Sequence, residues 1–136
     1  MDETKTVYRR MRNLPDYIRK DGSISSALFS DRNGVSVDID AGRSLEDIIK
    51  DEERLHQSYH PGMSQDEMIR TKRALKAIIA VEREECESKS IVIQPEPIRE
   101  ENEYHAILRR DDGTLQLTHG QCKHLSNKCR YVKKYF

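Results

Sequence analysis

The clearest strand in the chain is predicted between Val35 and Asp40, where apolar and polar residues alternate at a period of two. The Asn33-Gly34 dipeptide just before it is a strong turn sequence. Residues 23–29 are moderately apolar and fit either a strand or a short helical turn. Other short apolar segments predict further strands at residues 7–11, 91–93 and 104–108.

Helical spacing of the apolar residues predicts two helices in the middle of the chain. Ser44 and Asp47 begin the first, which ends before Pro61. A capping box that starts at Ser64 begins the second, which is expected to continue to about Glu87. The apolar stripe of this second helix consists of Met68, Leu75, Ile78 and Ile79.

A third helix is predicted from Thr118 to Phe136, with Thr118 as its N-cap. This stretch contains residue types that often bind zinc, namely His119, Cys122, His124 and Cys129. On a continuous helix Cys122 and Cys129 lie two turns apart, about 10 Å at about 1.5 Å per residue. That separation is too long for two ligands of one zinc ion or for a disulfide. We therefore expect the cysteines to be core residues and predict no metal site here.

These elements predict one domain over residues 1–136 of the α+β class. Its strands and helices occur in separate runs, which favours a small mixed or antiparallel sheet covered by about three helices. Hydrophobic and charged residues each make up 35% of the chain. Because ordinary soluble domains are more apolar and less charged, we expect a thin core and a heavily solvated surface.

Charge is balanced overall but unevenly distributed. Twenty-four basic and twenty-four acidic side chains give a net charge of zero, so no global field attracts polyanions. Residues 118–136 contain no acid and supply the predicted binding group, Lys123, Lys128, Arg130, Lys133 and Lys134. Residues 82–103 carry many glutamates. The basic segment could therefore bind an anionic partner, the acidic segment of its own chain or a second copy.

No apolar run is long enough for a membrane span, and the N-terminus lacks the pattern of a signal peptide. Three cysteines without a CxxC pair fit reduced thiols. These features predict a cytoplasmic protein without membrane contact.

Polar residues within apolar segments are the candidates for chemistry. The hypothetical site combines Arg9, Ser25, Ser26, Asp38 and His105. Arginine suits a phosphate group through bidentate hydrogen bonds, and histidine titrates near neutral pH. The nucleophile elbow, the P-loop, the dinucleotide fingerprint and the common nucleic-acid motifs are all absent. His56 and His60 leave metal binding at a helix end open.

One arrangement of short motifs extends over most of the chain. It consists of Tyr8-Arg9-Arg10, Asp21-Gly22, Ser25-Ser26-Ala27-Leu28-Phe29, Ser36-Val37-Asp38, Pro95, Asn102 and His105-Ala106. In this arrangement the chain resembles a group of short bacterial proteins with no assigned activity. The resemblance implies a stand-alone small bacterial domain, and it makes the five residues of the hypothetical site the positions to test.

Two functions follow as expectations. The first is a small binding or accessory protein that needs no cofactor and acts through contacts with another protein or a second copy. The second is a small enzyme for a nucleotide or nucleic acid, with Arg9 as phosphate clamp and His105 as acid or base. An enzyme requires its candidate residues to converge in one pocket. A binding protein requires an exposed apolar or singly charged patch.

Overall fold

A computed structural model describes residues 3–136 and shows an α+β fold, as predicted. Within these residues six strands form one antiparallel sheet in the order β4-β5-β2-β1-β3-β6. The strands are β1 (Thr6–Arg12), β2 (Val35–Ile39), β3 (Leu75–Glu82), β4 (Ile91–Pro95), β5 (His105–Arg110) and β6 (Arg130–Lys134). The helices are α1 (Leu45–Ser58), α2 (Gln65–Arg70), α3 (Arg83–Glu87) and α4 (His119–Lys128).

The strands predicted at 7–11, 35–40, 91–93 and 104–108 are confirmed as β1, β2, β4 and β5. Residues 23–29 are a helical turn in part. Ser26–Phe29 forms a 3-10 helix, and Ile24 before it pairs with Ile18 in an isolated bridge. The Ser25 hydroxyl caps this turn by accepting a hydrogen bond from Ala27 N at 3.2 Å.

The predicted second helix is wrong beyond Arg70, because residues 75–82 form the central strand β3. Ser64 caps α2 as expected, since its hydroxyl accepts from Glu67 N. The residues from Ala77 to Val81 are all buried, so the sheet is covered on both faces at this strand. A strand buried on both faces has a continuous apolar run, which lacks the alternation that distinguishes a strand from a helix.

The predicted third helix is wrong beyond Lys128. The capping box of Thr118 and Gln121 is present, but Cys129 has an extended backbone and Arg130–Lys134 pairs with β3. Cys129 therefore lies outside the helix, and the two-turn spacing to Cys122 does not apply. Cys122 is buried as expected, and Cys129 is only half-buried.

The two faces of the sheet are covered differently. The main core lies on one face, where α3, α4 and the 3-10 helix Ser26–Phe29 cover side chains that include Met11, Phe29 and Leu108. On the opposite face α1 packs over a smaller cluster that includes Tyr8, Ile48 and Ile78. This asymmetry decides the surroundings of every candidate residue.

Candidate functional site

Alternation along β1 sends Arg9 and Arg10 to opposite faces of the sheet. Arg9 lies on the side of the main core, where its Nε donates to Leu28 O and its Nη1 donates to Ser36 O, both at 2.8 Å. Burial lowers the pKa of Arg9 from its ordinary value. Its guanidinium thus ties the 3-10 helix Ser26–Phe29 to β2 through backbone carbonyls, instead of lining an open phosphate site.

The two serines also belong to this side of the sheet. Ser25 is occupied as the cap of the 3-10 helix, and Ser26 is the first residue of that helix. The turn places Leu28 and Phe29 in the main core. A structural reason therefore exists for both serines.

Asp38 and His105 are direct cross-strand partners on the opposite face. Asp38 is only 3% exposed and accepts a hydrogen bond from the side-chain amide of Asn102. The imidazole of His105 donates from Nδ1 to Glu96 O at 2.8 Å. Of the five residues in the hypothetical site, Arg9, Asp38 and His105 line one small cavity, whereas Ser25 and Ser26 do not.

Asp38 forms a buried carboxyl pair with Glu52, a residue that is not among the candidates from the sequence. Glu52, on α1, is 1% exposed and accepts from Arg10 Nη1 at 2.8 Å, and the same nitrogen lies 3.3 Å from Asp38 Oδ2. Burial raises the pKa of Glu52 well above its ordinary value, and a hydrogen bond with Asp38 raises it further. Glu52 lies between Ile48 and Leu55 on the apolar stripe of α1, and that position could have identified it as buried.

The space around these groups is too small for a substrate. A cavity of about 60 Å³ is lined by Tyr8, Arg9, Arg10, Ser36, Val37, Asp38 and His105. Since a water molecule takes up about 30 Å³ of the liquid, this volume accommodates about two waters and no nucleotide. The geometry can hold a proton between two carboxyl groups, but it offers no place for a reacting molecule.

Backbone carbonyls hold His56 and His60, and burial perturbs the thiols of Cys86 and Cys129. His56 Nε2 donates to Arg73 O at 2.7 Å, and His60 Nδ1 donates to His56 O at 2.8 Å. Burial raises the pKa of the Cys86 thiol to about 12 and that of Cys129 to about 11. Within residues 3–136, no group of three or more His, Cys, Asp or Glu side chains is arranged to hold a metal ion.

The predicted binding residues are divided between α4 and β6. Lys123 and Lys128 lie on the helix. The other three lie on β6, which forms one edge of the sheet, and we call Arg130, Lys133 and Lys134 the basic edge. Arg130 is paired with Glu82. Across residues 3–136, neither Lys133 nor Lys134 forms a salt bridge with a carboxylate.

Aromatic rings take the place of carboxylates beside these lysines. Lys134 Nζ lies 4.7 Å from the centre of the Tyr131 ring and 5.6 Å from that of Phe136. Lys133 Nζ lies 5.8 Å from the Tyr135 ring. Cation–π contacts of this kind stabilise exposed cations by roughly 0.5–1 kcal/mol, and both lysines remain exposed to an incoming anion.

Comparisons with protein-family models, with curated proteins and with solved structures give no match for this chain. The resemblance to short bacterial proteins therefore stays a prediction. None of the helices within residues 3–136 is long and apolar enough to cross a membrane.

Proposed function

We propose that this chain is a binding protein that acts through protein contacts at the basic edge. The main support is that Lys133 and Lys134 lie on an edge strand without carboxylate partners in the described part of the chain. Of the groups in the enzyme alternative, Arg9, Asp38 and His105 share only a cavity of about 60 Å³, and the hydrogen bonds of Arg9, Ser25 and His105 are already made within the fold.

The backbone of β6 supports this proposal, because one side of the strand is open. Tyr135 N donates to Lys76 O of β3, so Tyr135 and Lys76 form a hydrogen-bonded pair of the ladder. In an antiparallel ladder hydrogen-bonded and non-hydrogen-bonded pairs alternate. The neighbouring pair, Lys134 with Ala77, is therefore not hydrogen-bonded, and the amide and carbonyl groups of Lys134 point away from the sheet. An extended segment could add to this edge as a further strand.

Charge favours an acidic protein segment over nucleic acid as the added strand. The unpaired cationic stretch of β6 is short, because a carboxylate lies near each end of the strand. Glu82 pairs with Arg130 at one end, and Glu53 accepts from the Tyr135 hydroxyl at the other. The whole chain has a net charge of zero. Nucleic-acid binders commonly neutralise several successive phosphates with Lys and Arg, whereas two lysines suffice for a few carboxylates on one short strand.

Fluorescence anisotropy with a labelled peptide of alternating Glu and Val tests the proposal. We expect binding that weakens at high salt and falls by about tenfold or more in the double variant Lys133→Glu/Lys134→Glu. The matched control is Lys123→Glu/Lys128→Glu on α4, which changes the net charge equally and should retain binding. Equal losses in both double variants would refute a site at the basic edge. Sedimentation velocity of the unlabelled protein shows whether a second copy occupies the same edge.

A further inference from the structure

A groove next to the basic edge has a mostly apolar lining, and no side chain among residues 3–136 fills it. Its volume is about 370 Å³, and it is lined by Asn13, Leu14, Pro15, Ile18, Lys76 and Phe136. Ligand sites in proteins range from about 300 to 1,000 Å³. The groove is thus large enough for one bulky side chain and too small for a folded element.

The groove is continuous with β6. Phe136 lies two residues beyond the end of β6, and the hydrogen bond from Tyr135 N to Lys76 O places the groove residue Lys76 beside that end. Phe136 is 59% exposed, and its ring meets that of Tyr131 edge-on with centroids 6.0 Å apart. A segment that pairs with β6 therefore passes the mouth of the groove.

Two lysines give the rim of the groove a positive charge. Lys76 Nζ lies 4.6 Å from the centre of the Phe136 ring, and Lys134 Nζ lies 5.6 Å from it. Among residues 3–136, neither forms a salt bridge. The nearby 3-10 helix Pro15–Tyr17 contributes one exposed carboxylate, Asp16, so a positive balance remains. Apolar walls below a cationic rim complement a side chain that is apolar and flanked by acids.

The lining argues against a nucleobase as the occupant. The side-chain amide of Asn13 is already used, because Nδ2 donates to Ile69 O and Oδ1 accepts from Ala74 N. The other walls, except for Lys76, are apolar. The polar edge of a buried base would lose its hydrogen bonds to water without replacement, which is unfavourable. A phenylalanine or leucine side chain has no such polar groups.

We propose that the partner is an extended acidic segment that places one aromatic or large aliphatic side chain in this groove while its backbone pairs with β6. This inference rests on the proposed function of the basic edge and specifies its partner. The acids of the segment contact Lys133, which projects to the face of the smaller cluster. Its apolar residue projects to the opposite face, where it contacts Leu14, Ile18 and Phe136 beside Lys134.

Two labelled peptides test this inference. Both have alternating Glu and Val, and they differ only at a central position, which is Phe in one and Ala in the other. We expect the Phe peptide to bind about tenfold more tightly, a difference typical of burying one large side chain. The variant Phe136→Ala should remove most of that difference. Leu115→Ala, at an apolar residue that is 45% exposed outside the groove, is the matched control and should preserve it.

The outcomes separate this inference from the proposed function. If both peptides bind equally and both are lost in Lys133→Glu/Lys134→Glu, the groove has no role and the basic edge remains the site. If neither peptide binds, both proposals fail. If single-stranded oligodeoxythymidine binds more tightly than the Phe peptide and loses affinity in Phe136→Ala, the partner is a nucleic acid and the inference is wrong.

Discussion

Replacing Glu52 with Gln removes the ionisable group of the buried carboxyl pair and preserves its shape. The glutamine oxygen can still accept from Arg10 Nη1, which now donates to Glu52 at 2.8 Å, and its amide can donate to Asp38. Because the hydrogen bonds are retained, the stability of the variant should lie within about 1 kcal/mol of wild type in mild acid. Glu52→Ala leaves Arg10 without one partner and should cost about 3–5 kcal/mol.

The pH dependence of this difference follows from the raised pKa of Glu52. The folded protein binds the proton of Glu52 more tightly than the unfolded chain does. The stability that this proton contributes is complete below the unfolded pKa, at about pH 4.3, and is lost as pH rises towards the folded pKa. Each tenfold difference in proton affinity between the two states corresponds to about 1.4 kcal/mol. Glu52→Gln should therefore gain stability relative to wild type as pH increases.

Urea unfolding followed by circular dichroism between pH 5 and pH 9 measures this effect, and the two proteins are compared at each pH. Titrating groups that do not interact with Glu52 are common to both proteins, so their contributions cancel in the comparison. Glu46→Gln is the control, because that side chain is 77% exposed and forms only a surface pair with Lys50. A stability difference between wild type and Glu52→Gln that stays constant with pH would refute the buried, proton-sharing assignment.

Three further predictions concern backbone, core and thiols. Gly34→Ala should lower the free energy of unfolding by about 1–3 kcal/mol more than Gly22→Ala does. Both glycines have positive φ, but of the two only Gly34 would place the new Cβ against a side chain, at Ile107 Cγ2. Equal unfolding free energies of the two variants would contradict this. Arg9→Met should lose about 2–4 kcal/mol in urea unfolding because two carbonyls lose their donor, and an unchanged midpoint would exclude the structural role. The Cys86 thiol, with its pKa raised to about 12 and no exposed surface, should resist Ellman's reagent at pH 8 until the protein unfolds. Rapid labelling of Cys86 itself, rather than of the half-buried Cys129, in native protein would overturn that.

Local sequence was sufficient for strands whose two faces differ in polarity. In β2, Val35 and Val37 face the main core, while the alternate positions hold the exposed Ser36 and the buried polar Asp38. The central strand β3 gave no such alternation, since its neighbours β1 and β6 and the layers on both faces bury it completely from Ala77 to Val81. Its identity depends on pairing with residues about seventy positions away, which no local pattern contains.

For the candidate site, the sequence predicts only which side chains lie on opposite faces of the sheet. Alternation along a strand at residues 7–11 places Arg9 and Arg10 on opposite faces, as they lie in the structure, but the sequence does not state which face receives the larger core. That choice depends on where Ser26–Phe29 and α4 pack. Arg9 therefore resembled a phosphate ligand in sequence, although the structure gives its guanidinium two carbonyl partners.

Hydrogen-bond partners, rather than residue type, distinguish structure from function in this chain. Arg9, Asp38 and His105 were selected because polar groups inside apolar segments require a reason. Each of them has one in the fold, as a bond to a carbonyl or to a buried amide. In the sequence Lys133 and Lys134 are only part of a basic run. In the structure they lie on an edge strand beside aromatic rings, and neither forms a salt bridge with a carboxylate of residues 3–136. A partner can supply carboxylates to these lysines and hydrogen bonds to the outward-facing backbone of Lys134. The basic edge therefore supports a binding function more strongly than the buried residues support a catalytic one.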